Sequence, residues 1–107
     1  MTDLTTYLTE QIAARPVEAL MVRKVVRALK AAGTPVVRIW DGEEHVRVTS
    51  EKDVMDTVFN LDEAVLKTAD GAGVFLVMGE GYEMICDYSV SLEDALAPVN
   101  AYVDAHL

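Results

Sequence analysis

The side chains with the most reactive chemistry stand together late in the chain, where the single cysteine, Cys86, is followed by Asp87 and Tyr88. A nucleophilic thiol needs a nearby cation or histidine to stabilise its thiolate, and here an apolar residue and Asp87 flank it. In the alternating segment 82–88, Cys86 shares a face with Met84 and two tyrosines, which predicts a buried core cysteine. The alternative is a small enzyme or ligand-binding domain with a site near Cys86, Asp87 and Tyr88. No catalytic residue is assigned.

A second polar group surrounds an Asp-Gly turn, where Asp41, Glu43 and Glu44 precede His45. These side chains could ligate a cation, but a metal site holds its ligands at fixed angles, which a hairpin tip alone does not supply. The chain also contains no HExxH, CxxC or EF-hand spacing. The pattern therefore predicts a solvated turn, with neither a metal nor a cofactor.

Two sets of surface residues fit protein binding better than catalysis. The first is Trp40 with Arg38, His45 and Arg47, because a tryptophan between arginines has the composition of an interface hot spot. The alternative is that helix 2 or the C-terminal helix covers Trp40.

The second set is a basic arc on the polar side of the segment 18–33, formed by Arg23, Arg27 and Lys30. Its alternative is an ordinary solvated helix face, which acids of the same chain would engage.

The charge is unevenly distributed along the 107 residues, whose net charge is -9. Residues 1–38 contain six bases and three acids, whereas residues 39–107 contain three bases and fifteen acids. Nucleic-acid binding depends on cations, so direct binding to nucleic acid is not expected. The acids, among them Glu80, Glu83 and Asp87, favour a protein partner with a basic surface, or a second copy of the chain.

The length fits one domain, residues 1–107, with a core that needs no disulfide. The N-terminal residues lack the features of a signal peptide. The longest apolar run is too short to span a membrane. We therefore expect a cytoplasmic protein.

Two helices are predicted before the first strand. Residues 3–14 suggest a short helix, and Pro16 begins a second helix that runs to about Ala32 and ends before Gly33. The second helix is amphipathic, and its apolar arc consists of Met21, Val22, Val25, Val26, Leu29 and Ala32.

Two hairpins follow. VVRIW and HVRVT flank DGEE, which predicts strands with Val37, Ile39, Val46 and Val48 on one face. Residues 63–69 fit either a helix or a strand, and we favour a strand because Asp70-Gly71 then joins it to the apolar strand VFLVM. The segment GEG turns the chain into a fifth strand, YEMICDY.

A serine followed three residues later by an aspartate comes after each hairpin, at Ser50 and at Ser91, and predicts a capped helix at both places. The first helix should run to about Asn60, and Pro98 should kink or restart the second. The predicted fold is α+β. It has an antiparallel sheet of about five strands, built as two hairpin–helix units, with an N-terminal amphipathic helix and a C-terminal helix packed on one face.

One stretch, at about residues 73–96, resembles short bacterial and phage-borne proteins. In these, a hydrophobic strand, a Gly-rich turn, a strand ending in Asp-Tyr-Ser/Thr and a Leu-led acidic helix follow one another. The matching residues are Val74 to Gly79, Ile85, Asp87, Tyr88, Ser89 and Leu92. The resemblance covers about a quarter of the chain, implies no activity and favours an origin in a mobile element.

The sequence thus predicts a non-catalytic protein that acts by binding another protein. Its most concrete form is a phage-type inhibitor or a nucleic-acid mimic. Besides the small enzyme or ligand-binding domain, a further alternative is a self-associating protein in which the basic arc of one copy meets the acidic body of another.

Overall fold

The computed structural model describes residues 4–107, with side chains from Thr6 onward, so the first residue of the predicted helix 3–14 lies outside the described part. The helices are α1 (Leu4–Ala14), α2 (Pro16–Ala31), α3 (Glu51–Val58) and α4 (Glu93–His106). The strands are β1 (Val36–Trp40), β2 (His45–Arg47), β3 (Glu63–Thr68), β4 (Gly73–Val77) and β5 (Ile85–Tyr88). Short 3₁₀ turns occupy Gly81–Glu83 and Val90–Leu92.

The strands form one antiparallel sheet in the order β2-β1-β3-β4-β5, and the helices pack against it, which confirms the predicted α+β fold. Burial alternates along the central strands. In β3 the side chains of Ala64, Leu66 and Thr68 are buried, whereas those of Val65 and Lys67 are only half-buried. One face of the sheet is therefore covered by helices and the other is open.

Helix α2 lies at the centre of the covered side, since it packs on α1, α3, α4 and β1. Its five predicted apolar residues up to Leu29 are buried, whereas Ala32 lies beyond the helix and is exposed. The helix ends as predicted. Gly33 has φ of +82°, and the N–H groups of Gly33 and Thr34 donate to the carbonyls of Lys30 and Leu29, at 3.0 and 2.9 Å. This is a Schellman motif, which favours glycine at that position.

Helix α3 has the predicted cap. The Ser50 hydroxyl accepts a hydrogen bond from the Asp53 N–H at 3.1 Å. The Asp53 carboxylate accepts from the Thr49 N–H at 3.0 Å and from the Thr49 hydroxyl at 2.8 Å. These bonds, the one from the Thr49 N–H above all, lower the pKa of Asp53 below its usual 3.8. The helix ends at Val58, with Phe59 as its C-cap, rather than at Asn60.

The ambiguous segment 63–69 is a strand at Glu63–Thr68, as favoured, and Asp70 stabilises the turn that follows. Its carboxylate accepts hydrogen bonds from the Thr68 hydroxyl and, at 3.1 Å, from the Ala72 N–H. The first hairpin also forms around DGEE, but its core face differs from the prediction. The register of β1 on β3 shifts between Val36 and Arg38, so Val36 and Ile39 are buried while Val37 is half-buried.

The predictions for the last third need correction. The strand YEMICDY begins only at Ile85, because Gly81–Glu83 forms a 3₁₀ turn. The Ser91 cap is wrong. Helical backbone already begins at Val90, so Ser91 is not in the extended conformation that a capping side chain requires, and Leu92 occupies the N-cap. Helix α4 continues through Pro98, which lies inside it, and does not restart there.

None of the helices within residues 4–107 combines the length and apolar character needed to cross a membrane.

Candidate functional site

The open face of the sheet carries the predicted Trp40 set. Strand pairing aligns five residues in one row across all five strands: His45, Trp40, Val65, Phe75 and Asp87. A neighbouring row consists of Arg47, Arg38, Lys67 and Gly73. We call the first the aromatic row and the second the cationic row.

Trp40 lies within the aromatic row and is half-buried, on the opposite side of β1 from Ile39, which is fully buried beneath the helices. Its ring centroid is 4.8 Å from that of His45. A shallow cavity of about 170 Å³ beside it is lined by residues of β1, β3, β4 and the DGEE turn. The alternative that α2 or α4 covers Trp40 is therefore wrong, and the indole is available on the surface.

The cationic row places three positive side chains next to these rings. Arg38 and Lys67 are half-buried and Arg47 is exposed. Between described side chains, ion pairs join Arg27 to Glu51 and Lys52 to Asp56, and neither pair involves these cations. The sequence missed the contributions of Lys67 and Phe75, because only the strand order brings β3 and β4 beside Trp40.

The basic arc is partly engaged by its own chain. The Arg27 guanidinium pairs with the Glu51 carboxylate at 2.7 Å, and this hydrogen bond raises the pKa of Arg27. Lys24, at the edge of the arc, lies over the ring of Tyr102 at 4.2 Å. Arg23 borders an apolar groove of about 380 Å³ between α2 and α4, and Lys30 borders another cavity beside α3. Arg27 borders both of these cavities, so the arc is continuous along α2, and its central cation is paired with Glu51.

The predicted acids Glu80 and Glu83 lie in the turn Gly79–Met84, which we call the acidic turn, and both are exposed. The turn is anchored at both ends. The buried carboxylate of Glu18 accepts a hydrogen bond from the Gly79 N–H, and the Met84 side chain is fully buried. Tyr82, inside the turn, stacks on His106 with ring centroids 4.9 Å apart.

Cys86 is exposed, so the prediction of a buried cysteine is wrong. The register of β4 on β5 shifts between Phe75 and Leu76, which leaves Cys86 as an extra residue between the paired Ile85 and Asp87. The neighbours of Cys86 also diverge. Asp87 pairs with Phe75 on the open face, whereas Tyr88 packs against the core and its hydroxyl accepts from the Asn100 amide at 3.2 Å. Asp87 and Tyr88 nevertheless border one cavity of about 240 Å³ beside Gly73, and Cys86 is not among the residues that line it.

The DGEE turn is organised by its own aspartate. The Asp41 carboxylate accepts the N–H groups of Glu43 and Glu44, both at 2.8 Å. These bonds, the one from Glu44 first, lower the pKa of Asp41. Across residues 4–107, no three His, Cys, Asp or Glu side chains gather in a way that could hold a metal ion.

Comparisons with protein-family models, with curated proteins and with solved structures found no match to this chain.

Proposed function

We propose that this chain is a non-catalytic protein-binding module whose acidic turn, together with Asp87, docks on a basic surface of another protein. The observation that carries the proposal is the exposure of Glu80, Glu83 and Asp87 on a fixed part of the fold. None of the three forms an ion pair within the described residues, and the hydrogen bond that the Asp87 carboxylate accepts comes from the adjacent Tyr88 N–H.

The anchoring of the turn supports this use. A flexible acidic loop would lose conformational entropy on binding, which weakens affinity. Here the buried side chains of Met84 and Glu18 hold the turn to the core. The Val77 N–H also donates to the Met84 carbonyl at 2.8 Å, which closes the strand end below the turn. The backbone that carries Glu80 and Glu83 is therefore ordered before a partner arrives.

The net charge of -9 adds a long-range contribution. It accelerates encounters with a positively charged partner and repels polyanions. An inhibitor that occupies a basic groove, in the manner of a nucleic-acid mimic, is the most concrete form of the proposal. Such a protein needs spaced carboxylates on a rigid surface, and it needs no catalytic residue.

The test is a capture experiment with the immobilised chain and quantitative mass spectrometry of the retained proteins. The variant E80Q/E83Q removes two charges from the acidic turn and leaves Asp87 in place. Its matched control, E43Q/E44Q, removes two exposed glutamates from the other hairpin turn, where only the backbone N–H groups are bonded.

We expect the wild type and E43Q/E44Q to retain the same basic proteins, and E80Q/E83Q to lose them. Added salt should release these proteins, because exposed charge pairs are screened. Equal retention by all three chains, or no protein retained above the empty matrix, would show that the acidic turn is not a docking surface.

A further inference from the structure

The open face differs from the acidic turn and from the basic arc in being complementary to itself. When it is rotated by 180° about its central strand, its residues come to lie opposite residues of the same face that complement them. We propose that the open face binds the open face of a second copy of this chain, about a two-fold axis that runs along β3. This contact shares Asp87 with the proposed docking surface but does not involve the acidic turn, and it goes beyond the proposed function.

The strand order supplies the geometry. With β3 in the centre, a half-turn about its direction exchanges β1 with β4 and β2 with β5. Trp40 and Phe75 flank Val65 in the aromatic row, so Trp40 comes to lie opposite Phe75 of the second copy. Stacked sheets lie about 10 Å apart, a distance that two layers of such side chains fill.

The ends of the aromatic row also match. His45 on β2 comes opposite Asp87 of the second copy on β5. Within one chain these two residues are four strand spacings apart, about 19 Å, so they cannot pair with each other. Both side chains are exposed, and a second copy places an imidazole next to a carboxylate at each end of the interface.

The cationic row has a complementary gap. Arg38 comes opposite Gly73 of the second copy, which has no side chain of its own and lies in a cavity of about 240 Å³ that Lys67 and Asp87 also border. A Cβ at Gly73 would lie 2.9 Å from Cγ1 of Val65, so the position is closed to a side chain within its own sheet. Lys67 and Glu63 lie near the axis, so each comes opposite its own copy, and these like-charge pairs oppose association at low salt.

A second copy fits this face better than a nucleic acid or an acidic peptide. Either anion would find the cationic row, but it would also meet Glu63 and Asp87 on the same face and a chain of net charge -9. The second copy instead places an aromatic residue opposite the indole, a carboxylate opposite the histidine and a glycine opposite the arginine.

The area of the open face determines the affinity that we expect for the dimer. Five strands about 4.8 Å apart and about five residues long cover roughly 400 Å² per copy. A standard interface covers roughly 800 Å² per partner, so the dimer should be weak, with a dissociation constant on the order of 10–100 μM. Each copy also carries a charge of -9, so added salt should strengthen the association by screening the repulsion between the two bodies.

Sedimentation equilibrium from about 5 to 500 μM protein (concentrations chosen to bracket that constant), at low and at high salt, tests the proposal. We expect a monomer–dimer equilibrium that tightens with salt. The variant F75K should weaken it at least about tenfold. V90K is the matched control, because Val90 is 85% exposed in the 3₁₀ turn outside the sheet and its replacement should leave the constant unchanged. Trp40 is the only tryptophan, so its emission should shift to shorter wavelength with concentration in the wild type and not in F75K.

A charge exchange tests the two-fold arrangement itself. H45D should weaken dimerisation because it places two carboxylates opposite one another, and D87K should weaken it because it removes the carboxylate that faces His45. The double variant H45D/D87K places a carboxylate opposite an ammonium and should restore it. Far-UV circular dichroism establishes that every variant is folded. Because the two positions are about 19 Å apart within a chain, recovery in the double variant reports a contact between copies.

Three results would overturn the proposal: a monomer at every concentration and both salt levels, a dimer that F75K leaves unchanged, or charge variants without recovery in the double. A further measurement, with added single-stranded oligothymidine, distinguishes nucleic-acid binding from dimerisation. If it quenches Trp40 with an affinity that falls with salt while the chain stays monomeric, the open face binds nucleic acid and not a second copy. The proposal for the dimer and the proposal for the acidic turn can be refuted separately, because E80Q/E83Q leaves the open face intact.

Discussion

Replacing Glu18 with alanine should destabilise the fold far more than the loss of a surface carboxylate. Glu18 lies in the first turn of α2 and is only 6% exposed. Its carboxylate accepts a hydrogen bond from the N–H of Gly79, which is 61 residues away in the chain. One side chain thus holds the start of α2 against the end of β4 and the acidic turn.

The magnitude follows from two contributions. A hydrogen bond to a charged group that is shielded from water contributes about 1.5–3 kcal/mol. A carboxylate in the first turn of a helix adds about 0.3–1 kcal/mol through the helix dipole. We therefore expect E18A to lower the free energy of unfolding by about 2–4 kcal/mol. E18Q keeps an acceptor oxygen but loses the charge, so it should fall between E18A and the wild type.

Urea unfolding followed by far-UV circular dichroism and by Trp40 fluorescence measures this loss. E93A is the matched control, since Glu93 is an exposed carboxylate in the first turn of α4. Its removal should cost at most about 1 kcal/mol, the helix-dipole contribution alone. If E18A and E93A lose the same free energy, the bond to Gly79 contributes nothing and the reasoning is wrong.

Two further predictions concern local structure. The lowered pKa of Asp53 means that its stabilisation is complete above its usual value of 3.8 and is lost as the pH falls through the lower folded value. The thermal midpoint of the wild type should therefore decrease more steeply below about pH 4 than that of D53N, whose amide oxygen still accepts from Thr49; parallel curves would contradict the assignment. G33A should cost about 1 kcal/mol in urea unfolding, because φ of +82° strains an L residue although no atom lies within 4 Å of the added Cβ. An A32G variant with the same loss would show that the αL conformation of Gly33 is not the cause.

The elements that local chemistry controls were predictable. The apolar arc of α2, its end at Gly33 and the cap at Ser50 depend on residues within a few positions of one another. The turn residues Asp41 and Asp70 likewise accept hydrogen bonds from their immediate neighbours, so both hairpins follow from short segments.

The errors lie where the surrounding structure overrides a local pattern. The alternation in 82–88 placed Cys86 with Met84, but the register shift against β4 makes Cys86 an extra, exposed residue. The Ser91 pattern matches that of Ser50, yet the backbone is already helical from Val90, so the same pattern produces a cap at only one of the two sites.

The candidate surfaces likewise combine residues that local patterns predict with residues that only the strand order brings together. Periodicity along β1 and β2 was enough to place Trp40, Arg38, His45 and Arg47 on one face, because alternation depends on single strands and one turn. The order β2-β1-β3-β4-β5 is a property of the whole sheet, and it alone adds Lys67, Phe75 and Asp87 to that face. Pairing between strands that are distant in sequence produces no local pattern. The charge distribution and most of the secondary-structure elements could therefore be predicted from the residues, whereas the composition of the open face is decided only by the tertiary structure.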